Sequence, residues 1–270
     1  MRRMLIVMCA IICTLSSGAI DKVLLIGKEE MSVDGDEILH LSGIGLCLKC
    51  GNDSVIMLDN PELSAIKWIE PNDARSIVGC GNAVYAAEGD SIYRLASESV
   101  PRRFIGRLDN EQFMLYPATD STFYACTADE DFSCVYEINP SERTCMPFIS
   151  VKSALLKIST LGDKTMVWID DQVLLASDDG NLVPVFSSET ITDIQLTPIG
   201  LIAASADGLN WLTGPGKGAV LDPKPVSRVW WDDADILYYL TDEGDLYAVI
   251  GFMETYMELV TDRPSLSDKE

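Results

Sequence analysis

The chain repeats itself, and a repeat limits the fold more than any single motif. Six segments each read as an apolar run, a tight polar turn and a second apolar run. They are "GLCLKCGNDSVIML" from Gly45, "AVYAAEGDSIYRL" from Ala83, "TFYACTADEDFSCVYEI" from Thr122, "TMVWIDDQVLLAS" from Thr165, "LIAASADGLNWLT" from Leu201 and "ILYYLTDEGDLYAV" from Ile236. Aligned on the apolar anchors Leu46, Val84, Phe123, Met166, Ile202 and Leu237, they are separated by 38, 39, 43, 36 and 35 residues. A spacing of about 40 residues marks arrays whose units bury their apolar faces only by stacking on one another. Asp207-Gly208 and Glu243-Gly244 put glycine where a tight hairpin needs positive φ, Gly89-Asp90 reverses that order, and Asp178-Asp179-Gly180 marks a later turn in its own unit.

Each hairpin is preceded by a further apolar run: Ile38–Leu41, Ile77–Val78, Phe113–Leu115, Leu155–Ile158, Ile194–Leu196 and Val229–Trp231. Most are followed by a fourth: Phe104–Leu108, Cys145–Ile149, Leu182–Phe186, Val220–Leu221 and Tyr256–Val260. Four short strands per unit make the blade of a β-propeller. Pro147 and Pro184 both interrupt a fourth run. Proline has no N–H to donate, so it belongs on an outer edge strand. No long amphipathic helical period is present, and the strands lie too close together for βαβ units. The expectation is an all-β chain: a β-propeller of six four-stranded blades over residues 20–262, with a two-sheet β-sandwich as the alternative. Lys22–Ile26, an apolar run without a hairpin, is expected to pair with the last blade and so cover a sheet edge. The tail 263–270 reads as disordered.

The hairpin "LYYLTDEGDLYAV" resembles the second and third strands of six-bladed propellers of the YWTD and NHL kind. The tetrapeptide YWTD itself is absent, and Tyr238-Tyr239-Leu240-Thr241-Asp242 is only similar to it. The resemblance extends over about 220 residues. It implies fold and not function, because propellers serve in binding, scaffolding and catalysis.

Arg2 and Arg3 precede an apolar stretch, Met4 to Leu15, which is followed by Ser17-Gly18-Ala19. This pattern reads as a secretory signal peptide over residues 1–19, too short in its apolar part to span a bilayer. A membrane anchor, or a lipoprotein processed at Cys9 or Cys13, is the rival reading. The expected location is secreted, periplasmic or extracellular, with no membrane insertion after cleavage. The formal charge is −22, so removing the two arginines leaves −24. Such a surface repels nucleic acid and anionic membranes, which argues against nucleic-acid partners.

Six cysteines remain in the mature chain: Cys47, Cys50, Cys80, Cys126, Cys134 and Cys145. An even number in an exported chain reads as disulfides. Cys126 and Cys134 flank one turn symmetrically, so a simple hairpin register pairs them in a disulfide, with Cys145 competing. Cys80 is left to pair with Cys47 or Cys50. The C-x-x-C of Cys47 and Cys50 falls in an expected strand, where residues at i and i+3 point to opposite faces, so a redox role is not expected.

The lone histidine, His40, falls on an expected strand with no G-x-S-x-G elbow, and reads as structural. Tight turns account for most of the acidic pairs. No metal ligand set and no cofactor is implied, although calcium suits acidic turns of this kind. The candidate ligand-binding residues are Trp230, Trp231, Asp232 and Asp233, aromatic faces beside carboxylates, of the kind that suit sugars or cations. Tyr116 and Gln195, at the same offset from their anchors as Trp230, are expected beside them in a central channel. With no acid, base and nucleophile set in view, the sequence points to an exported, non-catalytic binding protein that recognises a protein or glycan through its face loops. The alternatives are a carbohydrate-active hydrolase or lyase using channel carboxylates, and a structural subunit of an envelope complex.

Overall fold

The computed structural model describes residues 22–27, 37–41, 45–50, 54–57, 74–96, 100–110, 112–128, 132–177, 181–232 and 234–254. The expected signal peptide, the tail 263–270, the run Tyr256–Val260 and the Asp178-Asp179-Gly180 turn lie outside these residues. The chain divides into two compact units: Ser32–Glu189, and Met1–Met31 together with Thr190–Glu270.

The first strand, β1 (Val23–Ile26), belongs to the second of these units. In Ser32–Glu189 come β2 (Glu37–Leu41), β3 (Gly45–Cys50) and β4 (Ser54–Met57), a three-stranded sheet. Three four-stranded sheets follow. They are β5 (Ala74–Cys80) to β8 (Arg103–Arg107) through β6 (Ala83–Glu88) and β7 (Ser91–Arg94); β9 (Phe113–Pro117) to β12 (Thr144–Val151) through β10 (Phe123–Ala128) and β11 (Ser133–Asn139); and β13 (Leu155–Leu161) to β16 (Leu182–Ser187) through β14 (Lys164–Ile169) and β15 (Gln172–Ala176). The other unit holds β17 (Ile191–Thr197), β18 (Gly200–Ser205), β19 (Gly208–Trp211) and β20 (Val220–Asp222). Its second sheet is β21 (Val226–Asp232), β22 (Ile236–Thr241) and β23 (Leu246–Ile250), with β1 against β23.

These are the blades of a β-propeller. Each is an antiparallel meander, and the first strands of successive blades are neighbours: β2 by β5, β5 by β9 and β9 by β13 in one unit, β17 by β21 in the other. Five blades have four strands, not the six expected, because the sheet that should form the first of them has three among the described residues. Every apolar anchor lies in a second strand and is buried. β1 pairs with the last sheet, Val23 opposite Ala248, and takes the outer place that the sequence reading gave to Tyr256–Val260.

Two devices recur. Four first strands carry a bulge near their start, where Arg75, Leu156, Thr192 and Ser227 are the extra residues, whereas β9 pairs with β10 without one. Outer strands carry one in mid-course, at Ile105, Phe148, Val185 and Leu221. A bulge bends its strand and increases the local twist. Pro147 and Pro184 sit beside two of these bulges, on outer strands as expected. Gly208 shows why its turn needs glycine: φ is +119°, and a Cβ there would lie 2.1 Å from the Asp222 carbonyl oxygen.

Between blades the packing is apolar, with a few polar ties. Tyr85, Ile92 and Ile105 meet Phe113 and Phe123 in one core. Tyr124 and Val135 meet Ile158 and Val167 in the next. Ser76 Oγ accepts the Leu115 N–H (2.9 Å), and Ser133 Oγ accepts the Leu155 N–H (2.9 Å) while donating to the Ser153 carbonyl (2.8 Å). In the other unit Asp193 accepts the Val229 N–H (2.9 Å). Leu115, Leu155 and Val229 are first-strand donors, and a buried donor without a partner is costly.

Candidate functional site

The residues singled out in the sequence are spread over both units. Trp230, half-buried on β21, lies opposite Tyr238. Trp231 is buried, lies opposite Leu237 and packs against Phe252 with ring centroids 5.9 Å apart, so it is a core residue of its unit. Asp232 Oδ1 accepts the Ala234 N–H (2.6 Å), which makes it a turn cap. Asp233 lies outside the described residues. Tyr116, in the other unit, donates its hydroxyl to the Leu156 carbonyl (3.2 Å). Gln195 donates through Nε2 to the Leu196 carbonyl (3.0 Å).

The expected equivalence of Tyr116, Gln195 and Trp230 does not hold. Tyr116 pairs with Tyr124 and Trp230 with Tyr238, each one residue past its anchor, whereas Gln195 pairs with its anchor Ile202. The turn before Gly200 has two residues, against five before Phe123 and three before Ile236. An even turn in place of an odd one shifts the register by one residue and moves a side chain to the other face.

The same rule removes the Cys126–Cys134 disulfide. Cys126 lies opposite Val135 and Cys134 opposite Thr127, so the two cysteines are on opposite faces of the ribbon. Cys80, Cys126, Cys134 and Cys145 are free thiols, which also removes Cys145 and Cys80 from the proposed pairings. Burial pushes the Cys80 thiol up to about 11, with the Asp120 carboxylate adding to the rise, and burial with Cys134 nearby pushes Cys126 up to about 12. Neither is a nucleophile at neutral pH. Cys47 and Cys50 lie in β3, opposite Met57 and Ser54, and His40 in β2 lies opposite Leu46. Among the described residues no three His, Cys, Asp or Glu side chains are grouped to hold a metal ion.

Two polar constellations stand out that the motif search passed over. One is a latch that joins the end of β20 to the last sheet. The Asp222 carboxylate is paired with the Lys22 ammonium and accepts the Tyr239 hydroxyl (2.6 Å) and the Lys224 N–H (3.1 Å). Lys22 also lies 4.5 Å from the centre of the Tyr247 ring, which stacks on Tyr239. Burial drives the Asp222 carboxyl up, but the bonds from Lys22, Tyr239 and Lys224 outweigh it and hold it below the usual carboxylate range. Burial, and the bond to Asp222, push the Tyr239 hydroxyl well above its ordinary value.

The other is an open groove of about 740 Å³ at one end of the β5–β8 blade, lined by Arg75, Glu88, Asp90, Ser91, Tyr93 and Arg107 among others. The register builds it, because Ala74, Glu88, Ser91 and Arg107 form one row across all four strands. The β5 bulge places Arg75 at its edge, exposed. Arg107 Nε lies 3.1 Å from Asp90, which also accepts the Ser91 hydroxyl (2.7 Å). Arg102 is paired with Glu88 and lies 3.9 Å from the centre of the Tyr93 ring, and Phe104 meets that ring edge-on at 5.7 Å. The sequence did hold a signal for this groove. Residues 75–107 contain five of the chain's ten arginines against three carboxylates, a local charge of +2 in a chain of −22.

No family model matches the chain, and no curated protein matches it. Among solved structures it is similar to the extracellular domain of a one component system from B. thetaiotaomicron, with a TM-score of 0.53 and 10% identity over 86% of this chain. The chain spans 40% of the length of that protein. It is similar to the WD40 domain of Pan2 from Neurospora crassa, with a TM-score of 0.53 and 12% identity over 78% of this chain and 73% of that one. It is also similar to a luciferin-regenerating enzyme, with a TM-score of 0.55 and 12% identity over 80% and 90% of the two chains. At such identities the likeness is one of fold: a β-propeller. No helix among the described residues is long and apolar enough to cross a membrane.

Proposed function

We propose that this chain is an exported, non-catalytic propeller, with repeats of the YWTD and NHL kind, that binds a protein or glycan through the loop end of its blades. The observation that supports this most is the groove on the β5–β8 blade. Arg107 is paired with Asp90 and Arg102 with Glu88, Tyr93 and Phe104 stand beside them, and Arg75 is exposed at the edge. Recognition surfaces are enriched in arginine and aromatic side chains of this kind. Proton transfer instead needs a group held near neutral and aimed at a reacting atom. The likeness to an extracellular domain fits export, and the likeness to a WD40 domain fits a binding role.

The test is biolayer interferometry of the chain and its Arg75→Glu/Arg107→Glu variant against panels of polysaccharides and extracellular proteins, with and without calcium. Saturable binding that the double substitution weakens at least tenfold, with no reaction product released, supports the reading. Release of reducing sugar from a polysaccharide, abolished by Asp232→Asn or Asp233→Asn, overturns it in favour of a carbohydrate-active enzyme.

A further inference from the structure

The outer strands of the four-stranded blades in the Ser32–Glu189 unit are not alike. β12 contains Pro147 and β16 contains Pro184, so each lacks one edge donor. β8 contains no proline and keeps every N–H. It is the last strand of its sheet in the order β5-β6-β7-β8. It is also the basic one: Arg103 and Arg107 are exposed on it, Arg102 precedes it, and Phe104 is 49% exposed. The bulge at Ile105 changes the phase of the strand. Arg103 shares a face with Arg94, whereas Phe104 and Arg107 share the other face with Tyr93 and Ser91. A chain laid along β8 therefore meets arginine on both of its faces.

Resting on the binding role proposed above, we propose that β8 docks an acidic segment of a partner protein as an added antiparallel or parallel strand, with its carboxylates on Arg103 and Arg107. Main-chain hydrogen bonds supply the affinity in this mode and the side chains supply the choice of partner. The guanidinium fork suits carboxylates bidentately. An acidic polysaccharide fits less well, since a sugar ring stacks on an open aromatic face and Arg102 already covers one face of Tyr93. The net charge of −22 does not forbid an acidic partner. At physiological salt the Debye length is about 8 Å, so contact is decided by the charges within the arginine island.

Fluorescence anisotropy with labelled octaglutamate tests this on the whole chain. Octaglutamate is expected to bind, octalysine is not, and Arg103→Glu/Arg107→Glu is expected to weaken binding at least tenfold. Asp90→Asn, which releases Arg107 from its internal partner, is expected to tighten it about threefold. Octaglutamate methylated on every backbone nitrogen carries the same charge with no N–H, and is expected to lose at least tenfold on the unaltered chain. This arm does not depend on how any variant folds. Equal binding of the methylated and unmethylated peptides overturns the added strand, as does polygalacturonate binding tightly where octaglutamate does not. If octaglutamate fails while another protein or glycan binds at the groove, only this inference falls. If the chain instead turns over a polysaccharide through Asp232 or Asp233, the binding role itself falls.

Discussion

Tyr239 donates its hydroxyl to Asp222 across 2.6 Å, between two side chains that are both nearly closed to water. Lys22, just before β1, completes the arrangement, so one carboxylate ties the start of the described chain to the last sheet. The Asp222 side chain is 4% exposed. Leaving its partners without it strands an ammonium and a hydroxyl, and breaking a buried pair costs about 3 kcal/mol. Asp222→Asn is therefore expected to lower the urea midpoint with little change in slope. Lys22→Met, which removes only the more exposed partner, is expected to cost less.

Acid should act through the same carboxylate. Its pKa is depressed in the folded state, so its contribution is complete above the unfolded value, about 4, and is lost as pH falls through the lower folded value. Melting temperatures measured between pH 6 and pH 2 are expected to fall steeply at the acid end, and less steeply in Asp222→Asn. Equal slopes in the two proteins would show that other carboxylates carry the acid limb.

At the alkaline end the sign reverses. Tyr239 is pushed up by burial first and by Asp222 second, so the folded state keeps its proton where the unfolded chain has lost it. That contribution is complete below pH of about 10 and is lost as pH rises further. Tyr239→Phe is expected to be less stable at pH 7 and to lose less on going to pH 11, with circular dichroism as the readout.

Thiol labelling separates the cysteines. With iodoacetamide at pH 8, followed by mass spectrometry, Cys145, which is exposed, is expected to react at least tenfold faster than Cys126, which is 2% exposed. Cys80 is expected to lag as well, since burial raises its thiol to about 11. In denaturant the three should react alike.

Gly216 has nothing to do with backbone freedom. A Cβ there would sit 2.1 Å from the Trp211 ring, and Trp211 is one of the largest fully buried side chains. Gly216→Ala must push an indole that has little room to move, at a cost of about 2 kcal/mol. A lowered melting temperature with a shifted tryptophan emission would show this.

The second strands were the most legible part of the fold, since Val84, Phe123, Ile202 and Leu237 are fully buried anchors in a regular spacing. Strand pairing also followed from the turns, down to β1 against the last sheet. What misled was parity. Whether a turn is odd or even decides whether Cys126 meets Cys134 across its own hairpin and whether Gln195 matches Trp230. No composition or spacing rule gives turn parity to one residue. The groove was hidden for a related reason: Arg75 reaches its edge through a bulge, and bulges leave no mark in a hydrophobic pattern.

Because β1 sits beside β23, a sheet is shared between the two ends of the described chain. β1 must wait, unpartnered, until β23 has been made. Pairings across such a sequence distance form slowly, so the last blade is expected to be the latest to assemble and the first to open. Any tag or fusion placed ahead of Lys22 hangs from that seam.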